Sequence, residues 1–406
     1  MASSVTPNQK KIAHGSLDRL SNLPKEVIDE ILVRIPISDV AKTSMLSRSW
    51  RYKWMSMSKL VFNSDSFQSS NKRARTEADR INYVTNILLL HNGMVSKFEV
   101  KDFLESGCVD VDRWILVLSR KMVKELVLGF DKQLGCFFLR QYRVPACLFD
   151  CEDLNKLVLE GCELRLPSHY EGFRYLTHLD LHYVDVTKET IEGLVEKSPL
   201  LLYLKIWSSR YISIDGLNIC APNLIDCSII GVFEGIGFHN VPKLEHVFLN
   251  ILDVIDCTTC KLDEVLFGLG RIHSLNIFYP FMDIDILDRE VKTAPTKLGI
   301  TYCDLKVANL VINFNDSEQI YAVLCLCRSA PNLEELIIQV CKTVRVDQLL
   351  IDEDKVPFWE GQVRKEEDIF HHLKAVSLSE FEGECNELGF AEFILLNAAV
   401  LETLNI

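Results

Sequence analysis

The chain has 406 residues, of which 48% are hydrophobic and 25% charged, a balance that excludes general disorder and leaves room for about two or three domains. Its formal net charge of −13 is uneven, because residues 1–80 hold 14 Lys and Arg against 8 Asp and Glu, which leaves −19 for the remainder. An acidic body repels phosphate backbones, so we expect no nucleic-acid partner, whereas the basic front end suits an acidic protein.

The composition also argues against a membrane or secreted protein. No stretch approaches the roughly 20 uninterrupted apolar residues of a bilayer span, and the first 20 residues lack the apolar core of a signal peptide. We therefore expect no membrane contact and a location in the nucleus and/or cytoplasm. There, 14 cysteines scattered through runs such as AVLCLCRSA should be small buried hydrophobes. CTTC at 257–260 lacks a second ligand pair, so we expect no metal and no cofactor.

The front of the chain, LSNLPKEVIDEILVRIPISDVAKTSMLSRSWRYKW, has the spacing of three short helices. Apolar residues recur at steps of three and four, Pro24 suits a first helical turn, and Pro36 ends the first helix. A second helix follows, and the third segment places Trp50 and Trp54 on one face. Such a module either caps the body that follows or leaves apolar surface to dock a partner helix.

This segment resembles the F-box, the helical module that binds the Skp-family adaptor of SCF ubiquitin ligases. The resemblance rests on LPKEVIDEILVRIP and SDVAKTSMLSRSWRYKW, although Ser49 stands where many plant members have a basic residue. It places an F-box at 17–62, behind a flexible N-terminus at 1–16. It implies these adaptor-binding residues: Leu23, Pro24, Ile28, Ile31, Leu32, Ile35, Val40 and Trp50.

A polar segment follows the front module. Residues 63–80, rich in serine and charge, are predicted to form a linker. Within it, KRAR at 72–75 is either a solvated loop or a short nuclear-import patch.

The body contains a repeat of the form L-x-x-L-x-L, whose last two apolar residues are spaced as a half-buried strand requires. Many of the intervals lie between 20 and 29 residues, which is typical of leucine-rich repeats. An α/β solenoid with a curved parallel sheet is therefore expected over 81–355; the alternative is an unrelated α/β domain with several such strands. Predicted units start at 123, 154, 176, 201, 224, 244, 272, 295, 333, 373 and 401.

The C-terminal 356–406 resembles the FBD region that ends many plant F-box proteins. The matching stretches are an early Val-Pro, LKAVSLSEFEG and ELGFAEFILLNAAVLETLNI. We interpret the region as an elaborated last repeat, and since relatives commonly continue past this point, it is expected to be truncated or less well covered. Together the three regions resemble a plant F-box/FBD/LRR-repeat protein.

No catalytic pattern stands out. GLGRIHSLN lacks a phosphate-binding loop, there is no GxSxG or HExxH, and His371 and His372 fall on opposite faces of a strand. We expect no enzyme activity, and the F-box resemblance implies positioning rather than catalysis.

The working surface is instead predicted on the outward face of the repeat strands, in one row. Three aromatic residues there, Trp207, Phe248 and Phe278, are candidate binding anchors if neither loops nor the FBD region covers them. Ser228, Ile230 and Asn276 share this predicted row. The predicted substrate-binding residues are Asp180, His182, Lys205, Trp207, Phe248, Asn250 and Phe278.

The resemblance implies the substrate-recognition subunit of an SCF-type ligase, with a Skp-type adaptor and, through it, cullin as partners and an unknown protein as the substrate. The alternative is a small-molecule co-receptor, whose repeat face binds a ligand and then a partner protein. A deep polar pocket with clustered basic residues would favour the co-receptor.

Overall fold

The computed structural model describes a defined set of residues, and the fold is given for these alone. No described helix is long and apolar enough to cross a membrane. The described residues are 23–35, 37–48, 50–67, 76–104, 108–130, 141–208, 213–214, 216–233, 235–251, 262–278, 297–341, 359 and 369–406.

Most strands of the described chain belong to one parallel sheet, whose strand order follows the sequence from β1 to β18. Two small pairs, β4 with β6 and β10 with β12, lie outside it, and β9 pairs with the end of β11. The strands are β1 (Lys59–Phe62), β2 (Lys97–Leu104), β3 (Glu125–Phe130), β4 (Tyr142–Arg143), β5 (Lys156–Glu160), β6 (Cys162–Glu163), β7 (His178–His182), β8 (Tyr203–Trp207), β9 (Ser213–Ile214), β10 (Leu217–Cys220), β11 (Asp226–Phe233), β12 (Ile236–His239), β13 (His246–Ile251), β14 (Ser274–Phe278), β15 (Val307–Ile312), β16 (Glu335–Val340), β17 (Ala375–Ser379) and β18 (Thr403–Asn405).

Helices precede the sheet and return between its strands. Short 3-10 helices cover Thr43–Met45, Lys53–Ser56, Ser64–Phe67 and Ala146–Asp150. The α-helices are α1 (Lys25–Val33), α2 (Ile37–Lys42), α3 (Glu77–Leu90), α4 (Asp110–Ser119), α5 (Lys188–Glu196), α6 (Leu262–Phe267), α7 (Ser317–Ser329) and α8 (Cys385–Asn397).

The strands form because alternate residues are apolar. In β7, Leu179 and Leu181 are buried, whereas His178, Asp180 and His182 on the other face are half-buried. The same alternation in neighbouring strands stacks the buried side chains into one continuous core. Truncating one of these leucines to alanine should cost about 2–5 kcal/mol.

The repeat prediction is confirmed for ten of its eleven units and wrong for one. Each of the ten carries a strand that begins two residues after the predicted start. The unit at 295 is wrong, because 297–300 form no strand and β15 takes that place in the sheet. The actual unit is LKVANL, in which Leu305, Ala308 and Leu310 are buried; the alanine at the middle position concealed it.

Two further units precede the first predicted one. Met57 and Val95 each start the same pattern two residues ahead of β1 and β2, and both side chains are buried. β1 lies within the predicted F-box range yet pairs in parallel with β2. The front module is therefore continuous with the repeat sheet, although the predicted domain boundaries stay predictions.

Side-chain contacts reinforce this junction. Buried His91 places Nε2 2.7 Å from the carbonyl oxygen of Met57, and Lys121 Nζ donates to the carbonyl of His91 at 2.8 Å. The hydroxyl of Tyr83, on α3, donates to the carbonyl of Ile37 at 3.2 Å. These bonds fasten the front module to the first repeats.

The structure corrects two local expectations here. The predicted third helix of the front module is only the 3-10 turn Lys53–Ser56. Part of the predicted linker is ordered, since Phe67 is buried and α3 begins at Glu77 behind a Thr76–Asp79 capping box. KRAR at 72–75 and CTTC at 257–260 lie outside the described residues.

The cysteines of the described residues are free thiols, several of them buried. Burial raises the pKa of Cys151 and of Cys327 to about 12, which keeps them protonated and unreactive. Cys303 and Cys385 are exposed, which departs from the expectation of uniform burial.

Candidate functional site

Half of the predicted adaptor-binding side chains lie in the protein's own core. The buried ones are Ile28, Leu32, Val40 and Trp50. The half-buried ones are Leu23, Ile31 and Ile35, and Pro24 is exposed. For the buried four, the assignment to a surface is corrected: α1 must bury one apolar stripe for the module to fold, and Ile28 and Leu32, four residues apart, supply it.

A second apolar stripe faces outward from the same helix. Pro24, Val27 and Ile31 are spaced by three and four residues, so they share a face adjacent to the buried one. Beyond the helix, further large apolar side chains are exposed, and the predicted set missed them. The exposed fractions are 43% for Val27, 87% for Met45, 69% for Leu46 and 61% for Tyr52. These exposed hydrophobic groups lie close together in sequence, and we take them as a candidate docking surface.

Basic side chains accompany these apolar residues. Arg48 and Arg51 are exposed, and Lys53 places Nζ 5.0 Å from the ring centre of Trp50. Lys42 is neutralised locally by Asp39, with Nζ and Oδ1 2.6 Å apart. The front surface, defined here as Pro24, Val27, Ile31, Met45, Leu46 and Tyr52, is thus apolar with basic neighbours.

The predicted substrate-binding residues do share one face of the sheet, but they form two rows. Side chains on one face of a strand recur every second residue. Each strand therefore contributes two outward residues, and across neighbouring strands these residues line up as two separate rows. The first row is Asp180, Lys205, Ser228, Phe248 and Asn276. The second row is His182, Trp207, Ile230, Asn250 and Phe278.

Trp207 belongs to a group on β7 and β8. Its ring centre lies 5.4 Å from that of His182 and 5.2 Å from that of Tyr183, and 37% of the residue is exposed. His182 Nε2 is 2.5 Å from Asp180 Oδ1. This end of the face therefore combines an exposed indole with polar and titratable groups.

Phe248 and Phe278 form a separate pair. Their rings stack with centres 5.1 Å apart and planes 27° apart, and both residues are half-buried. Trp207 is three strands away from Phe278, about 14 Å at the usual strand spacing. The three aromatic residues therefore do not form the single row that was predicted, because β11 lies between Trp207 on β8 and the stacked pair on β13 and β14.

A cavity of about 430 Å³ opens where β13 to β16 end. It brings together two predicted residues, Asn250 and Phe278, with residues of the turn after β17 that were not predicted. The described lining residues are Asn250, Phe278, Val311, Gln339, Val340, Cys341, Glu380 and Glu382.

The turn after β17 is held by a buried carboxylate. Glu387 Oε2 accepts backbone N–H bonds from Glu382 at 2.9 Å, Gly383 at 2.8 Å and Glu384 at 3.2 Å. Glu380 and Gly383 adopt positive φ angles of 59° and 83°. These constraints fix the backbone that carries Glu380 and Glu382, the two glutamates of the cavity. The spacing of the repeats in the sequence did not predict that these two residues would line a cavity.

The described residues contain no group of three or more His, Cys, Asp and Glu side chains that could hold a metal ion. His371 and His372 are exposed, and His372 Nδ1 contacts the carbonyl of Pro331 at 3.3 Å.

A helical module continuous with a long parallel sheet of repeats defines a leucine-rich-repeat solenoid with a fused N-terminal module. Family profiles match each part: an F-box domain over 20–62, the LRR repeats of FBD-associated F-box protein At5g56370 over 111–338, and FBD over 369–406.

Curated relatives from Arabidopsis thaliana match nearly the whole chain. F-box/FBD/LRR-repeat protein At1g13570 is 33% identical over 402 residues, which cover 96% of this chain and 91% of the relative. F-box/LRR-repeat protein 13 is 26% identical, covering 97% and 91%. FBD-associated F-box protein At4g10400 is 25% identical, covering 96% and 92%.

The chain belongs to the plant F-box/FBD/LRR-repeat family. These families support a substrate-adaptor role in SCF-type ligases and describe adaptors or receptors rather than catalysts.

Proposed function

We propose that the protein is the substrate-recognition subunit of an SCF-type ubiquitin ligase. The front surface binds a Skp-type adaptor and, through it, cullin, while the outward face of the repeat sheet binds the protein to be ubiquitinated. One observation carries the proposal: α1 buries Ile28 and Leu32 for its own folding and still presents Pro24, Val27 and Ile31 outward. Since the module's core is complete without that second stripe, the stripe is available for a partner.

Charge supports the kind of partner. Arg48 and Arg51 stand near the exposed Met45 and Leu46, so an adaptor with an acidic, apolar groove is complementary to this surface. Rim charges of this type raise the association rate more than the affinity.

The protein's contribution to ubiquitin transfer is positional. The bonds at the junction and the β1–β2 pairing tie the adaptor-binding module to the sheet that holds the target. A target on the outward face is thereby kept near the ligase machinery, and this raises its effective concentration at the site of transfer. The chemical step is left to other subunits.

The structure offers little for the co-receptor alternative. Among the described residues of the cavity there are two glutamates and no lysine or arginine, whereas an anionic ligand would need basic groups.

Affinity purification from cells tests the proposed function. With a proteasome inhibitor present, the wild-type protein should retain adaptor, cullin and ubiquitinated proteins. Leu46→Glu puts a charge on the front surface and should lose all three, because burying an unpaired carboxylate at an interface is unfavourable. Equal recovery of ubiquitinated proteins by wild type and a well-folded Leu46→Glu variant would refute the proposal.

A further inference from the structure

We infer that the cavity at the ends of β13 to β16 is a pocket for one basic side chain, arginine or lysine, of the target protein. The inference rests on the proposed function, since the occupant is taken to belong to the protein that the repeats bind.

The inner wall of the cavity is apolar. Phe278 and Val311 occupy outward positions of their strands, where a solvent-facing sheet usually carries polar groups, and Val340 is buried beside them. Phe278 is braced by its stack with Phe248. Such a wall packs the methylene stem of a long side chain and offers an aromatic face to a cation.

The rim of the cavity is acidic. Glu380 and Glu382 lie on the same turn, and both residues are exposed. The amide groups of Asn250 and Gln339 add hydrogen-bonding oxygens. An apolar wall with carboxylates at the mouth is complementary to an alkyl stem ending in a positive charge, and it repels an anion.

The volume admits one long side chain, and the acidic rim rather than the volume selects a cation. At about 430 Å³ the cavity lies at the lower end of the roughly 300–1,000 Å³ of small-ligand sites. The turn is also constrained before binding, because Glu387 holds three of its backbone N–H groups. Constraint of this kind reduces the entropy that binding would otherwise lose.

A defined peptide pair tests the inference on the full chain in complex with its adaptor. The probes are acetyl-Gly-Arg-Gly-amide and the same peptide with citrulline, a neutral isostere of arginine. Ligand-observed NMR should detect saturable binding of the arginine peptide, weaker at high salt, and at least about tenfold weaker binding of the citrulline peptide.

Variants locate the binding within the cavity. Glu380→Gln combined with Glu382→Gln should weaken the arginine peptide at least about tenfold, whereas Glu392→Gln, an exposed glutamate of α8 outside the lining, should not. Val311→Lys supplies a tethered cation and should block the probe. Thermal melts and adaptor capture should be unchanged in all three variants. Loss of the predicted peptide binding would therefore count against the pocket alone, whereas loss of adaptor capture by the wild type would count against the proposed function.

Several results would overturn the inference. One is a wild-type protein that binds neither peptide, or both equally; another is undiminished binding by the double glutamine variant.

Discussion

His91 lies buried at the junction between the front module and the repeats. Its Nε2 bonds to the carbonyl of Met57, while Nδ1 is buried and has no hydrogen-bond partner within the described residues. Burial lowers the pKa of His91 below its ordinary 6.5, and the nearby Lys121 ammonium acts in the same direction. The backbone carbonyl groups of Met57 and Gly93 oppose this shift, but burial is the larger effect, so the neutral ring fits the folded junction.

This predicts a loss of stability in acid. Because the pKa of His91 is lower in the folded than in the unfolded state, the unfolded chain binds more protons once the pH falls below about 6.5. The free energy of unfolding should fall through that window and level off below the folded-state pKa. Urea melts between about pH 8 and 5 should show a smaller decline for His91→Gln and an unchanged one for the exposed His371→Gln. Identical pH profiles for all three proteins would contradict the assignment.

At the residue scale, the predicted adaptor-binding set stays a prediction, and the structure separates its exposed from its buried members. Pro24 and Ile31 are accessible as expected, but Ile28 and Leu32 are buried, because α1 has two adjacent apolar stripes. Helical spacing shows that both stripes exist and cannot say which one meets the protein's own core. That choice depends on how α1 packs in the folded chain.

At the scale of elements, α8 contains a glycine that close packing requires. A Cβ at Gly389 would lie 2.4 Å from two ring atoms of Trp359 and 2.7 Å from its Cβ. Trp359 is buried with Phe390 and Phe393 of the same helix, at ring-centre distances of 6.2 and 5.2 Å. The indole therefore occupies the space that a larger residue would need.

Gly389→Ala should consequently destabilise the protein by about 1–3 kcal/mol, although alanine favours an α-helix over glycine by about 1 kcal/mol. The matched control is Gly193→Ala in α5, whose Cβ would meet only the tip of Leu166 at 2.6 Å; we expect little or no loss there. Pairing Gly389→Ala with Trp359→Leu should recover part of the stability in a double-mutant cycle. Equal melting temperatures for the two alanine variants would refute the packing argument.

The repeat elements were largely predictable because each unit repeats the same burial problem. Apolar residues at the first, fourth and sixth positions, most often leucine, identify a strand with one buried face, and ten units carried that pattern. The unit at 305 escaped because Ala308 fills a position where large residues were sought. The turn bearing Glu380 and Glu382 was not predictable, since its place over the cavity depends on strands 40 or more residues away.

At the scale of the whole molecule, the repeat sheet begins within the front module and runs to the C-terminal strand. By sequence the first 80 residues, which include the front module, are net basic, and the acidic remainder includes the proposed pocket. We therefore expect the two partners to differ in charge: an acidic adaptor binds the front surface, and a basic side chain of the target binds the repeats.

The most direct test measures the dissociation constant between the full chain and a purified Skp-type adaptor. Val27→Glu should weaken binding about 30-fold or more, the equivalent of a 2 kcal/mol hot spot, with little change in melting temperature because Val27 is exposed. Leu116→Glu, an exposed apolar residue of α4 outside the front surface, should bind as the wild type does. An unchanged constant for a folded Val27→Glu variant, or an equal loss for Leu116→Glu, would contradict the central claim that the outward stripe of α1 is the adaptor-binding face.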